Sequence, residues 1–223
     1  MSRRSEFLAG VRTVAPVTVG VAPFGLVAGV AAVEADLGVD VAMGFSTVVF
    51  AGASQLAAIE LLAADAPLAV VVATALVINA RLFMYSASIA PHFEGTTRRA
   101  RAFAAYLLTD QAYALSVVRF RETGASLPYY FGVAAPLWAV WVVCTLVGAV
   151  GGARLPGWLP LGFAVPLTFL AILVPAVEDR PSVVAAVVGG AVAVGGAGLP
   201  FNLGLLGGGV AGILAGLAAE AAG

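Results

Sequence analysis

The sequence predicts an all-α integral membrane protein, folded as a single polytopic transmembrane domain over residues 1–223. Three observations carry this. The chain is 61% hydrophobic with a mean hydropathy of +1.04, and only 10% of it is charged, against about 25% in a soluble domain. Apolar stretches long enough to cross a hydrocarbon core of about 30 Å recur along its whole length. No polar stretch is long enough to fold outside the bilayer.

Taken in order, seven or eight hydrophobic elements emerge, some of them incomplete spans. Residues 13–33 form the first, interrupted by Pro16, Pro23 and Gly25, and residues 41–64 the second, with an Ala-Gly-Ala-Ser-Gln break. Residues 67–91 carry Asn79 and Arg81, and residues 103–120 hold Thr109-Asp110-Gln111 at their middle. Residues 130–150 contain Trp138 and Trp141, for which packing is the default role. Residues 159–177 are broken by Pro160, Pro166 and Pro175, while 183–199 and 203–219 are Gly/Ala-rich and barely long enough to cross. Each internal proline removes a helical hydrogen bond, so Pro/Gly-broken helices are expected. Within a membrane the freed carbonyls must face protein, water or a ligand. The N-terminal run lacks a clear cleavage site and reads as a retained first helix.

Pro23 precedes Ala32-Val33-Glu34 much as Pro166 precedes Ala176-Val177-Glu178, an echo that fits an internal repeat of the first and sixth segments. Charge sets the orientation. Arg3, Arg4 and Arg12 place the N-terminus in the cytoplasm, and the basic loop of Arg98, Arg99 and Arg101 belongs there too. An even number of crossings must then separate them, whereas three full spans give an odd number. Either residues 41–64 re-enter as a hairpin, or the Arg98 loop breaks the rule.

Polar groups inside such segments carry the functional reading, because an arginine near the bilayer centre costs about 2.5–3.5 kcal/mol even on insertion scales. Gly52, Ala53, Ser54 and Gln55 offer a hydroxyl, a carboxamide and an approachable backbone, suited either to a zwitterionic solute or to a helix crossing. Asn79 and Arg81 stand about 200° apart on an ideal helix. Arg81 shares its face with Tyr85 and Ser88 and requires a carboxylate, for which Asp110 is the internal candidate. That pair is either a structural lock or a switch governed by proton or substrate. Asp110 is also the candidate for ion coupling. A net charge of −1 gives no footprint for nucleic acid. One histidine, His92, and one cysteine, Cys144, are too few for a metal centre. No cofactor is implied and no enzyme motif is present, neither HExxH nor a nucleophile elbow.

Pro23-Phe24-Gly25, Phe50-Ala51-Gly52-Ala53-Ser54-Gln55, Asn79-x-Arg81 with Tyr85-x-Ala87-Ser88-x-Ala90-Pro91, and Leu108-Thr109-Asp110 occur in one order along the chain. Together with Leu199-Pro200-Phe201-Asn202, they resemble the AzlC family, the large subunit of branched-chain amino acid exporters. Leu82 and Gln111 depart from the His and Glu frequent at those family positions. The resemblance implies a secondary transporter subunit exporting valine, isoleucine, leucine or methionine with a small AzlD-type membrane partner; the plasma membrane is the expected location, and Asp110 fits proton coupling. The resemblance also directs attention to Pro23, Phe24, Gly25, the Gly52–Gln55 break, Asn79, Arg81 and Tyr85 as pathway residues. The rival readings are a passive channel for a small neutral or weak-acid solute and a non-transporting membrane scaffold.

Overall fold

The computed structural model describes residues 2–152, 177, 179–200 and 203–221. The sixth hydrophobic segment up to Ala176, including Pro166 and its echo, lies outside the described residues, as do Phe201 and Asn202. The described residues form helices α1 (Arg3–Glu34), α2 (Gly38–Gly44, continued by a π-helical turn Phe45–Val49), α3 (Gly52–Ala63), α4 (Leu68–Ile89, followed by a 3-10 turn Ala90–Phe93), α5 (Arg98–Tyr106), α6 (Asp110–Thr123), α7 (Leu127–Gly152), α8 (Arg180–Gly195) and α9 (Leu203–Ala221). Four of these, Arg3–Glu34, Leu68–Phe93, Leu127–Gly151 and Leu203–Ala221, are long and apolar enough to cross a membrane.

Helices α1 and α7 lie side by side and run parallel. A Cβ placed on Gly10 would meet the Tyr129 carbonyl, one on Gly25 would meet Cys144, and one on Gly29 would meet the Thr145 carbonyl at 2.1 Å. Moving up α1 therefore moves up α7. Without a hydrophobic drive between helices, small residues permit this backbone approach and its dispersion contacts. Contrary to the expectation of a broken first segment, α1 runs uninterrupted through Pro16 and Pro23. Both prolines lie on its exposed side, away from the glycine seam that holds it to α7.

The second segment is a hairpin of two short helices. Helix α2 descends beside α7, with Ala42 clustered with Ala149 and Ser46 bonded to Thr145, to a tip where Gly52 meets Trp141. Helix α3 then returns beside it, with Gln55 donating to Ser46 and Ala58 and Leu61 packed with Phe45. Each arm is 12 residues, about 18 Å, too short to cross the core.

The segment 103–120, expected as one span, is a second hairpin. Helix α5 rises along α7, Tyr130 donating to the Ala104 carbonyl at 2.6 Å and Trp138 Nε1 to Tyr106 Oη at 2.8 Å. Helix α6 returns, so that Phe120 packs on Phe93 and Arg119 lies 3.6 Å from Glu6. The reason is local: Thr109 is extended and caps Ala112, so a new helix begins at Asp110 instead of the old one continuing.

Two units thus follow one another in opposite orientation, α1 with the hairpin α2–α3 and α4 with the hairpin α5–α6. Because the first hairpin returns to the end it entered, α1 and α4 are the helices that run the length of the bundle between the two Arg-rich stretches among the described residues. Arg3, Arg4 and Arg12 share one end of the bundle with the loop before Arg98, which follows Phe93 packed on Tyr130. Helices α8 and α9 form an antiparallel pair, with Gly189 against Gly208 and Gly196 against Gly204.

Candidate functional site at the hairpin tips

At the first tip the chain turns through Phe50, whose φ of 45° and ψ of 49° are left-handed, and through the extended Ala51. Such a conformation costs an L-residue about 1–2 kcal/mol; burial of the Phe50 ring, 5% exposed, offsets it. The Phe50 N–H reaches back to the Phe45 carbonyl at 2.9 Å, closing the π turn. Ala51 has no side-chain acceptor to cap α3, so the N–H groups opening that helix receive no side-chain hydrogen bond at their cap. Gly52 allows the aromatic wall to close on the tip, since a Cβ there would lie 2.7 Å from Trp141 and 2.8 Å from Phe24. Those two rings pack edge to face at 5.3 Å.

Ser54 and Gln55 divide their work. Ser54 Oγ donates to the Ala51 carbonyl at 3.0 Å and accepts from Asn79 Nδ2 at 2.9 Å, tying the tip to the middle of α4. Gln55 is fully buried on the other side of α3, where Nε2 donates to Ser46 Oγ at 3.1 Å and Ser46 Oγ lies 3.0 Å from Thr145 Oγ1. That buried relay fastens the hairpin to α7.

The second tip, Leu107 to Thr109, presents Asp110 at the start of α6, where Arg81 Nε lies 3.1 Å from Asp110 Oδ1. The contact is off the N–H axis, so it is an ion pair rather than an aligned hydrogen bond. Both side chains stay open, at 36% and 43% exposure. Asn79 and Arg81 therefore serve different tips from opposite sides of α4, as their angular separation requires. Tyr85 adjoins the ion pair and stacks on Tyr113.

Tyr106 joins the tips. Its hydroxyl donates to the Thr47 carbonyl, accepts from Trp138, and its ring lies 6.3 Å from Phe50. Asn79 Oδ1 and Trp141 Nε1 are buried without a hydrogen-bond partner among the described residues.

Of the residues singled out from sequence, Phe24, Gly52, Ser54 and Asn79 come together at the first tip, and Arg81, Tyr85 and Asp110 at the second. Ala53 is half-buried on α3 beside them. Pro23 faces outward and Gly25 is built into the α1–α7 seam, so neither reaches a tip. Sequence reasoning missed Ser46, Thr145 and Tyr106. Ser46-Thr47 was a legible polar pair ahead of the break, whereas Tyr106 and Thr145 carry no local signal.

A polytopic helical membrane protein with two opposed re-entrant tips meeting on one spanning helix is consistent with a membrane transporter subunit. The chain belongs to the AzlC family: the family model described as AzlC protein matches residues 16–155, which include both hairpins. It is similar to the inner membrane protein YgaZ of Escherichia coli (strain K12), 27% identical over 195 residues, or 83% of this chain and 80% of that one. An uncharacterized membrane protein of Helicobacter pylori (strain 26695) is 31% identical over 154 residues, 67% of each chain. One of Archaeoglobus fulgidus is 29% identical over 197 residues, 86% of this chain and 85% of that one. No solved structure matches.

Proposed function

We propose that the protein is the large subunit of a secondary transporter that exports branched-chain and other hydrophobic amino acids, works with a small AzlD-type membrane partner, and draws on the proton gradient. The observation that carries the reading is the meeting of two hairpin tips on α4, at Asn79 and at Arg81. Half-helices ending near the midplane are a recurrent way to hold a polar solute inside a bilayer.

The groups present suit a zwitterion. The α3 N-terminus and the Arg81 guanidinium attract a carboxylate; Asp110 and Asn79 Oδ1, which has no partner among the described residues, attract an ammonium. Phe24, Phe50 and Trp141 offer an apolar wall to an aliphatic side chain. By the positive-inside rule, the end carrying Arg3, Arg4, Arg12 and Arg98 faces the cytoplasm across the plasma membrane.

The test is efflux of preloaded isoleucine, valine and methionine from cells lacking their own exporters. It compares this chain alone, this chain with its candidate small partner, and the pair carrying Arg81→Ala. Efflux that needs both subunits and Arg81 is expected. A correctly inserted pair that moves none of the three sinks the amino acid assignment, and flux indifferent to the proton gradient favours a passive channel.

A further inference from the structure

Between the ion pair and the Arg-rich end of the bundle, helices α4 and α6 run in the same direction and face each other along a polar stripe. On α4 the stripe is Arg81, Tyr85 and Ser88, at steps of four and three residues, which keep to one side of a helix, and His92 follows it on the 3-10 turn. On α6 Asp110 and Tyr113 answer it. Arg81 pairs with Asp110 at 3.1 Å, the Tyr85 and Tyr113 rings stack at 4.4 Å and 12°, Tyr113 Oη donates to Ser88 Oγ at 2.9 Å, and His92 lies on Phe120 at 5.3 Å. Arg81 and Asp110 are more than a third exposed and Ser88 and His92 are exposed, while the neighbouring exposed face of α4 is apolar, with Phe83 at 72% and Met84 at 67%.

Ion pairs and hydroxyls do not lie open to hydrocarbon, because leaving them unsolvated costs several kcal/mol. From Arg81 to His92 the stripe runs about 16 Å, half the thickness of the core. It stops at the ion pair. Beyond lie the buried Leu107 and Leu108, at 2% and 5% exposure, and the apolar Val77 and Ile78.

We propose that this stripe is a water-filled half-channel that leads protons from the end of the bundle carrying Arg3 and Arg98 to Asp110 and no further. Only the use made of the proton rests on the transporter reading. In the step itself, a hydronium ion in the groove gives its proton to a carboxylate oxygen of Asp110. One O–H bond breaks, another forms, and a water molecule remains. Among the described residues, Arg81 and Tyr85 from α4 face Asp110, and Tyr113 from α6 stacks on Tyr85. Neutral Asp110 no longer holds Arg81 by charge, which frees the guanidinium and loosens the second tip from α4.

Cys144 is the only cysteine, so Cys144→Ser gives a background for single replacements in the full chain with its candidate small partner. Ser88→Cys, Tyr113→Cys and, as a lipid-facing control, Met84→Cys are treated with a membrane-impermeant cationic methanethiosulfonate in vesicles of either orientation. Each unit by which burial raises a thiol pKa cuts its thiolate about tenfold, so the two groove positions are expected to react at least about tenfold faster than Met84→Cys. They are also expected to react only from the end bearing the N-terminus. Reaction no faster than the control, as when a partner helix covers the stripe, or reaction from the opposite end overturns the half-channel.

Tyr113→Phe keeps the ring and removes the hydroxyl. It is expected to lower isoleucine transport driven by an imposed pH gradient about tenfold while leaving isoleucine exchange within about twofold, the former corresponding to about 1.4 kcal/mol. Equal losses in both assays, or none in either, remove the proton role. A wild-type pair that transports no amino acid rejects the transporter reading instead, and the labelling pattern then decides the half-channel by itself.

Discussion

Arg81 and Asp110 meet at 3.1 Å where a spanning helix touches the tip of a re-entrant one, and each is the other's partner at mid-depth in the bundle. Both remain more than a third exposed, and with water in the proposed half-channel the pair is screened and contributes about 1 kcal/mol to stability. Asp110→Asn should accordingly leave membrane insertion and folding intact while abolishing gradient-driven export. Normal export by this variant at every pH tested would remove Asp110 from the mechanism.

The relay of Gln55, Ser46 and Thr145 is buried, and its value lies in being complete. Ser46→Ala strands a carboxamide and a hydroxyl in the core, at about 1–3 kcal/mol. Thermal unfolding of the purified protein should show a clear drop for Ser46→Ala, and a smaller one for the double variant Ser46→Ala/Gln55→Leu, which strands fewer polar groups. Equal stability of wild type and Ser46→Ala would show that the hairpin is held by packing alone.

Tyr106 is bonded to both the first tip and α7. Tyr106→Phe leaves the Trp138 N–H without this acceptor and releases the Thr47 carbonyl, while keeping the ring beside Phe50. The expected result is faster amide hydrogen exchange at residues 45–55, with exchange in α1 and α7 unchanged. A uniform change across the chain would identify Tyr106 as a general packing residue instead.

The α1–α7 seam depends on backbone approach. A Cβ on Gly132 would fall 2.1 Å from the Phe7 carbonyl and one on Gly29 at 2.1 Å from that of Thr145, with no flexible side chain to move aside. Gly132→Val should cost about 1–3 kcal/mol or more through overpacking and lower the yield of folded protein in membranes. Gly20→Val, where nothing lies within 4 Å, should not. Equal yields would place the two helices farther apart.

Helix α8 begins at an exposed cap. The Asp179 carboxylate accepts from the Ser182 N–H at 2.8 Å, and the Ser182 hydroxyl first and this backbone bond second hold its pKa below the ordinary carboxylate value. A depressed folded-state pKa stabilises the helix start above the unfolded carboxylate's pKa, and the contribution is lost as pH falls through the lower folded value. Amide exchange at Ser182 should therefore rise relative to mid-helix residues on acidification into that range, and Asp179→Ala should remove the pH dependence. Unchanged dependence in the variant would assign it to another group.

Much of the candidate site was legible because polar residues stand out in an apolar chain. Asn79, Arg81, Ser54 and Asp110 could be found by their cost in a bilayer, and the angle between Asn79 and Arg81 already required two separate partners. The arginine distribution raised the alternative that the second segment re-enters. The same reasoning read residues 103–120 as a span, since hydropathy reports only that a segment leaves water and not whether it turns back. Gln55 looked like a pathway residue, yet its side of α3 packs on α7.

By itself the sequence determined that this chain lives in a membrane, that its helices pack through glycine, and which charges must find partners there. These follow from transfer free energies and side-chain size, which are local properties. The tertiary structure alone decided that α1 and α7 run parallel, that two hairpins enter from opposite ends, and that α4 receives both tips. Those outcomes depend on which distant groups meet: Ser46 with Thr145, Tyr106 with Thr47, Arg81 with Asp110. A re-entrant turn inside a bilayer is stable only when neighbours satisfy the backbone and side-chain groups it exposes, and no local pattern in the chain specifies those neighbours.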